Sequence, residues 1–192
     1  MSSSRRLLPL ALLALATPSL AEVSHEQRHQ IIVTHGIMAS LAWLIFFPLG
    51  AIWVRIFKHN ARNIHWMWQA TSLLIFTTAW ALGVWIATTT NQWVTWNGHA
   101  IIGTIIFGLV LTMPVLGLAH HFAWRDGKRI YKYAWMHVWL GRVLITAGMI
   151  NGGLGLQLSA NTVKGEIAYG VIAGVMWLLL SLIHISEPTR PY

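Results

Sequence analysis

Long apolar runs, separated by short polar segments, make up most of the chain. Five of them follow one another, at about 31–57, 66–88, 99–119, 133–157 and 165–180. A helix that crosses a bilayer needs about 20 predominantly apolar residues, and the first four runs are long enough. Lipid offers the backbone no hydrogen-bond partners, so each spanning run must be a helix. The pattern therefore predicts an all-α, polytopic membrane helical bundle, with a four-helix core and a truncated fifth helix.

The charged residues lie in the short connections between these runs. Lys and Arg occupy the first and third connections, at Arg55, Lys58, Arg62, Arg125, Lys128, Arg129 and Lys132. The second connection, residues 87–98, has no charge, and the fourth, residues 159–168, has one Lys and one Glu. Short connections favour antiparallel neighbours, and cytoplasmic loops carry the excess of basic residues. The pattern therefore places the N-terminus outside the cytoplasm and both basic connections inside it.

The two ends of the chain differ from the apolar runs. MSSSRRLLPLALLALATPSLA, residues 1–21, has the basic start, short apolar stretch and small final residues of a secretory signal peptide; an uncleaved anchor is the alternative. Cleavage would leave a short extracytoplasmic segment, residues 22–30, before the membrane domain, residues 31–179. We therefore expect entry into the secretory pathway and residence in the plasma membrane or an endomembrane. LSLIHISEPTRPY, residues 180–192, resembles the translation of a transposase sequencing adapter, and we interpret it as a non-native tail.

Composition supports the membrane interpretation and excludes several classes of function. The chain is 56% hydrophobic and 9% charged, with 12 Trp, whereas about 25% charged residues is usual for soluble domains. Without Cys, it has no disulfide scaffold, thiolate-held iron–sulfur cluster or thiol catalysis. The net charge of +8 comes from dispersed loop residues rather than one basic patch. We therefore expect membrane lipid as a partner, and no nucleic acid.

Four histidines lie near the start of successive apolar runs: His35, His65, His99 and His137. Antiparallel helices start at alternate membrane faces, so His35 and His99 are predicted near the outer face. His65 and His137 are predicted near the inner face. In a four-helix bundle, the members of each pair then face each other diagonally across the core. Two facing imidazoles in an apolar interior are what a six-coordinate haem iron needs, which predicts one bis-histidine haem at each depth.

Other interpretations of the histidines stay open. A haem-free tetraspan scaffold or partner-binding protein would use them in interhelical hydrogen bonds, and a transporter or proton channel would use them as relay sites. A dinuclear metal site would need bridging carboxylates; the spans contain no Asp or Glu apart from Glu166 at the start of the fifth, so we discount this site. Nearby small residues would let a flat macrocycle approach the backbone, namely Gly36, Gly98, Gly103, Gly108, Gly141 and Gly148.

Longer motifs around these histidines resemble the cytochrome b561 family. The segments are THGIMASLAWLIFFPLGAIWVR, NIHWMWQATSLL, WNGHAIIGTIIF and WMHVWLGRVLITAGMINGGLGL. They are similar to its fungal branch, the cytochrome b561 / ferric reductase transmembrane domain found alone or beside a DOMON domain. The segment before the first span is too short for a DOMON domain, and the ascorbate-binding positions of animal and plant members are not clearly matched.

The resemblance implies two b-type haems, one held by His35 with His99 and one by His65 with His137. It implies an oxidoreductase-type electron carrier that takes electrons from a cytoplasmic small-molecule reductant, with ascorbate one candidate. The extracytoplasmic acceptor would be a ferric chelate, monodehydroascorbate or a redox protein. The resemblance leaves homodimerisation open.

Two further residues are candidate haem contacts. Arg142 lies five residues after His137 and deeper in the fourth run, where a cation needs a partner. We expect it to face the interior, pair with a propionate and raise the potential of the inner haem; snorkelling to the surface is the alternative. Gln69 lies four residues after His65, on the same helical face, and is predicted to hydrogen-bond near the same haem.

Overall fold

The computed structural model describes residues 23–57, 59–90, 97–127 and 131–185, with side chains up to residue 183. These residues form helices and no strand, which confirms the all-α prediction. The helices are α1 (His25–Ile56), α2 (Ala61–Thr89), α3 (Gly98–Arg125), α4 (Tyr131–Leu158) and α5 (Val163–Ile185). The predicted signal peptide lies outside the described residues, as do Lys58, Lys128, Arg129 and the tail from residue 186.

Length and apolarity single out four helices in the described part of the chain as candidate membrane spans: α1, α2, α3 and α5. The fourth apolar run forms α4, which has 28 residues but also carries His137, Arg142 and Asn151 and is less apolar. The fifth helix has 23 residues and is long enough to cross a membrane; truncation of the native helix stays a prediction, because the observed helix runs into the predicted non-native tail. Its extra length comes from residues 180–185, which are mostly apolar and continue the helix.

The beginning of α1 belongs to a separate unit, because the chain divides after Gln30. The described residues of this unit contain a reciprocal cap. The Gln27 N–H donates to Ser24 Oγ at 3.2 Å, and the Ser24 N–H donates to Gln27 Oε1 at 3.0 Å. Such a pair satisfies backbone donors that a helix start leaves unpaired. The predicted extracytoplasmic segment is therefore helical from His25 onward.

The winding of α1 changes in its middle. Ala42–Phe46 form a π-helical segment, in which the Phe47 N–H donates to the carbonyl oxygen of Ala42. Pro48 follows at once, and proline has no N–H and clashes with the preceding turn of a regular helix. A π-segment accommodates such an irregularity without ending the helix. It places one more residue along α1 than regular α-helical winding would.

Helices α1 to α4 form the core of the bundle. The second half of α1 packs on α2, the first half of α3 packs on α2, and both halves of α3 pack on α4. Helix α5 lies against α4 and α1. Helices that follow one another in the chain therefore pack against each other, as their short connections predict.

An aromatic cluster fills the middle of this core. The ring of Trp43, in the π-segment, lies 4.6 Å from that of Phe47 and 4.8 Å from that of Phe76, centroid to centroid. Trp43 occupies the space that a Cβ on Gly148 of α4 would need. Because α1 and α4 meet so closely here, this layer is buried and well packed.

Candidate functional site

The four histidines form two pairs. The rings of His35 and His99, on α1 and α3, have centroids 6.0 Å apart and planes inclined at 81°. The rings of His65 and His137, on α2 and α4, have centroids 6.1 Å apart and planes inclined at 69°. We call His35 with His99 the first pair and His65 with His137 the second pair. The structure therefore brings together the partners that the topology argument predicts.

Each histidine is held by a backbone carbonyl of the neighbouring helix. In the first pair, His35 Nδ1 donates to Ala79 O at 2.7 Å. His99 Nδ1 donates to Asn151 O at 2.9 Å. In the second pair, the corresponding acceptors are the carbonyl oxygens of Gly50 for His65, at 2.9 Å, and of Met113 for His137, at 3.1 Å.

These four hydrogen bonds fix the tautomer of the rings. A carbonyl oxygen only accepts, so each Nδ1 must carry the proton. In a neutral imidazole the other nitrogen, Nε2, is then left with its lone pair free. A hydrogen bond from the far nitrogen to a carbonyl is also the usual support of a metal-bound histidine. All four side chains are thus oriented and protonated as metal ligands would be.

A regular spacing underlies the two pairs. On each of α2, α3 and α4, the paired histidine is fourteen residues before a carbonyl that supports a histidine of the other pair. The three sets are His65 and Ala79, His99 and Met113, and His137 and Asn151. Fourteen residues are close to four turns, or about 21 Å, so both groups lie on one helical face. On α1 the spacing from His35 to Gly50 is fifteen residues. The π-segment lies between these two residues and takes up the extra one.

Three glycines make room for the histidine rings. A Cβ on Gly83 would lie 2.7 Å from His35 Cε1, and one on Gly155 would lie 2.7 Å from His99 Cε1. A Cβ on Gly117 would lie 3.5 Å from His137 Cε1, which is ordinary contact. Each of these glycines lies one turn beyond the carbonyl that supports the same histidine. They are residues that the sequence analysis missed.

The six glycines named from the sequence are not among those whose added Cβ would meet a histidine ring of another helix, and their approach to a macrocycle stays a prediction. A Cβ would meet open space at Gly36, Gly98 and Gly108, and it would meet Asn151, Met113 and Trp43 at Gly103, Gly141 and Gly148 respectively. They were chosen for closeness in sequence, whereas the contacts are made across helices. A readable signal did exist, because Gly83, Gly117 and Gly155 each follow a ligand histidine by eighteen residues, which is five helical turns.

The separation within each pair suits one metal ion between two imidazoles. Metal–imidazole bonds of about 2.0 Å put the bonded nitrogens about 4 Å apart, and each ring centroid lies roughly 1 Å behind its nitrogen. Centroids 6.0 and 6.1 Å apart agree with this geometry. Within the described ranges, no group of three or more His, Cys, Asp or Glu side chains could hold a bare metal ion. The pairs thus suit a metal that brings its other ligands with it, as haem iron does.

Arg142 lies five residues beyond His137 on α4, and Gln69 lies four residues beyond His65 on α2. The Arg142 guanidinium carbon lies 4.6 Å from the centroid of the Trp139 ring. Its Nε is buried and makes no hydrogen bond with any described residue. Gln69 Nε2 donates to the carbonyl oxygen of Phe47 at 3.3 Å, which ties α2 to α1 beside the carbonyl that supports His65.

Comparisons with known proteins agree with the motif resemblance. Two cytochrome b561 and DOMON domain-containing proteins of Arabidopsis thaliana are 31% and 26% identical to the chain, over 79% and 78% of its length. A Drosophila melanogaster protein named as a ferric-chelate reductase 1 homolog is 29% identical over 81% of the chain. The matched region spans 38%, 38% and 24% of these relatives, so the chain corresponds to less than half of each.

No family model and no solved structure matches the chain. The three relatives come from a plant and an insect, so placement in the fungal branch stays a prediction. Two of the relatives carry the family in their names, and the matches extend over most of the chain. With its four long apolar helices, the chain is therefore an integral membrane protein related to the cytochrome b561 family.

Proposed function

We propose that this protein carries electrons across a membrane through two b-type haems, each bound between two histidines. The observation that carries the proposal is the state of the four imidazoles. The four rings form two pairs at centroid distances of 6.0 and 6.1 Å. Each Nδ1 donates a hydrogen bond to a backbone carbonyl of an adjacent helix. Interhelical hydrogen bonding alone would not require the four rings to lie in two close pairs across the bundle.

Each residue has a separate part in this proposal. His35 and His99 hold one haem and His65 and His137 hold the other, and the bound iron supplies a one-electron Fe(III)/Fe(II) couple. Haem iron held by two histidines would have no open coordination position, which suits electron transfer rather than substrate activation. Gly83 and Gly155 allow the first pair to approach the backbone. The packed layer around Trp43 keeps water out of the middle of the bundle.

Arg142 is proposed to meet an anionic group of the haem at the second site. Its buried Nε is an unsatisfied donor, and leaving such a group unpaired costs about 1–3 kcal/mol. A propionate would supply the missing acceptor, and the cation would raise the potential of that haem by disfavouring its more positive oxidised state. Gln69, which is bonded to the α1 backbone, would act at the same site by holding α1 and α2 together.

The direction of transfer follows from the predicted orientation. Arg55, Arg62, Arg125 and Lys132 would mark the cytoplasmic face, on the side of the second pair. Electrons would enter there from a small-molecule reductant, such as ascorbate, and leave from the first site to an extracytoplasmic acceptor. The name of the Drosophila relative favours a ferric chelate as that acceptor.

A reduced-minus-oxidised absorption spectrum, with haem quantified per chain in detergent-purified protein, tests the proposal. We expect two low-spin b-type haems per chain. His35→Ala and His137→Ala should each leave one haem, because each substitution breaks a different pair. His121→Ala is the matched control: this histidine, whose ring lies 5.7 Å from that of Phe122, belongs to neither pair, and its variant should keep both haems.

Folded protein without a Soret band, expressed with haem supplied, would refute the proposal. The rival scaffold would then be favoured, and it also predicts that paired histidine substitutions are tolerated. A proton channel predicts pH-dependent flux in liposomes containing the haem-free protein. Absence of that flux in the haem-free protein would exclude the channel.

A further inference from the structure

Two histidines lie one helical turn apart at the beginning of α1, His25 and His29. Residues i and i+4 of a helix share a face, with their Cβ atoms about 5–6 Å apart. Both side chains are exposed, and neither imidazole is hydrogen-bonded to a residue that the structure describes. Two accessible nitrogen donors are therefore presented on one side of the helix, where their rings can turn toward a shared ion.

The helix is regular where this pair lies. Ser24 caps it through the reciprocal hydrogen bonds with Gln27. The Arg28 N–H donates to the carbonyl oxygen of Ser24 at 3.0 Å, which closes the first α-helical turn. The cap thus fixes the turn that carries His25 and, with it, the spacing of this histidine from His29.

The sequence of this turn is a known metal-binding pattern. Residues 25–29 read HEQRH, and H-E-x-x-H on a helix places two imidazoles on one face, where metallopeptidases use them to hold zinc. In those enzymes a third protein ligand completes the site. Within the described ranges, no third His, Cys, Asp or Glu side chain forms such a group with the pair, and Glu26 Oε1 accepts a hydrogen bond from Gln30 Nε2 at 3.1 Å. The pair therefore suits metal binding rather than peptide hydrolysis.

Two imidazoles with the other coordination positions open favour particular ions. The affinity of a given site for divalent first-row metals is highest for Cu²⁺. Cu²⁺ also accepts a tetragonal set of nitrogen and oxygen ligands, so water can fill the positions that the protein leaves. Glu26 and Arg28 carry opposite charges, so the cation meets no net positive charge from the residues between the two histidines.

We propose that His25 and His29 form a binding site for a divalent transition metal ion, with Cu²⁺ the ion bound most tightly. The pair belongs to residues 22–30, the segment that the charge pattern predicts outside the cytoplasm. A bound, oxidised ion would be held on the side of the membrane to which electrons are delivered. That consequence rests on the proposed function, whereas the binding itself depends on two imidazoles of this chain and requires no haem.

Titration of the purified, detergent-solubilised protein with Cu²⁺ tests the proposal, by calorimetry and by electron paramagnetic resonance. We expect a site whose Cu²⁺ signal shows coupling to two imidazole nitrogens. His25→Ala and His29→Ala should each weaken this binding by at least about tenfold, since loss of a group that only orients a metal ligand already costs roughly 10–100-fold. Zn²⁺ should bind the wild-type site more weakly than Cu²⁺ does.

Two control variants separate the pair from histidines in general. His59→Ala removes an exposed histidine that has no other histidine within four residues, so it should leave the Cu²⁺ affinity of the site unchanged. His29→Ala combined with Gln30→His keeps the number of histidines but moves the second one by about 100° around the helix. This displaced variant should lose as much affinity as His29→Ala alone.

Equal Cu²⁺ affinity in the wild type and in the His25 and His29 variants would overturn the proposal, as would retained affinity in the displaced variant. An equal loss in His59→Ala would also overturn it, because binding would then not depend on the one-turn spacing. Haem content, measured on the same samples, tests the proposed function separately. A wild-type protein that binds Cu²⁺ but no haem would refute the electron carrier and leave the metal site standing.

Discussion

His65 on α2 donates a hydrogen bond to the backbone carbonyl oxygen of Gly50 on α1, over 2.9 Å. Two more side chains of α2 make the same kind of contact: Trp68 Nε1 donates to Phe46 O at 2.7 Å, and Gln69 Nε2 donates to Phe47 O at 3.3 Å. Residues 65, 68 and 69 lie on one face of α2. This close approach of α2 to the α1 backbone depends on Gly50 having no side chain.

Gly50→Ala should damage the second site. The added Cβ would lie 2.6 Å from Gln69 Nε2 and 2.8 Å from Trp68 Cδ1, and overpacking of this kind costs about 1–3 kcal/mol. We expect a lower melting temperature and partial loss of the haem held by His65, measured as haem per chain. Gly174→Ala is the control, because a Cβ there meets nothing within 4 Å. Equal haem content in the two variants would contradict the role given to Gly50.

Gly83→Ala and Gly155→Ala should affect the first site, whereas Gly117→Ala should be tolerated. A Cβ at the first two positions comes within 2.7 Å of a histidine Cε1, and at Gly117 it stays 3.5 Å away. Displacing either ring weakens its metal bond, so we expect one low-spin haem to be lost or to become high-spin. Absorption and paramagnetic resonance spectra of the three variants are the measurement. If Gly117→Ala loses the most low-spin haem of the three variants, contact of the added Cβ with the histidine ring is not the cause of the loss.

Arg142→Gln should lower the potential of the haem at the second site. The substitution removes a cation whose Nε is buried without a hydrogen bond among the described residues. A nearby cation disfavours the more positive, oxidised iron, so its removal should favour the oxidised state. We expect a shift on the order of tens of millivolts, since about 59 mV corresponds to tenfold for one electron. Arg142→Lys keeps the charge and should shift the potential less. Arg125→Gln, at an exposed residue whose Nε is 3.7 Å from Asp126 Oδ1, is the control that should leave both potentials unchanged.

The sequence was sufficient to predict the helices and the histidine pairs, because both follow from apolar length and from alternating chain direction. It could not provide the carbonyl partners of the histidines, since these depend on the axial register of two helices that are distant in sequence. The π-segment had one local signal, Pro48, but the sequence alone did not show that its extra residue sets the distance from His35 to Gly50.

The π-segment of α1 accommodates the one extra residue between His35 and Gly50, so that these two residues still serve the first and second pairs respectively. Deleting Ile45 should let Ala42–Phe46 return to regular α-helical winding. Ile45 is 37% exposed, so its deletion removes little packing. The two halves of α1 would, however, rotate by about 100° and approach by about 1.5 Å relative to each other.

The part of α1 from Phe46 to Gly50 accepts three hydrogen bonds from α2 side chains. This part should therefore keep its position against α2. His35 should therefore be the group that moves, so the deletion should remove the first haem and spare the second. Ile45→Ala loses most of the same side chain without changing the spacing and should retain both haems, as haem per chain and two-component potentiometry would show. A deletion variant with two haems at wild-type potentials would show that the fifteen-residue spacing does not need the π-segment.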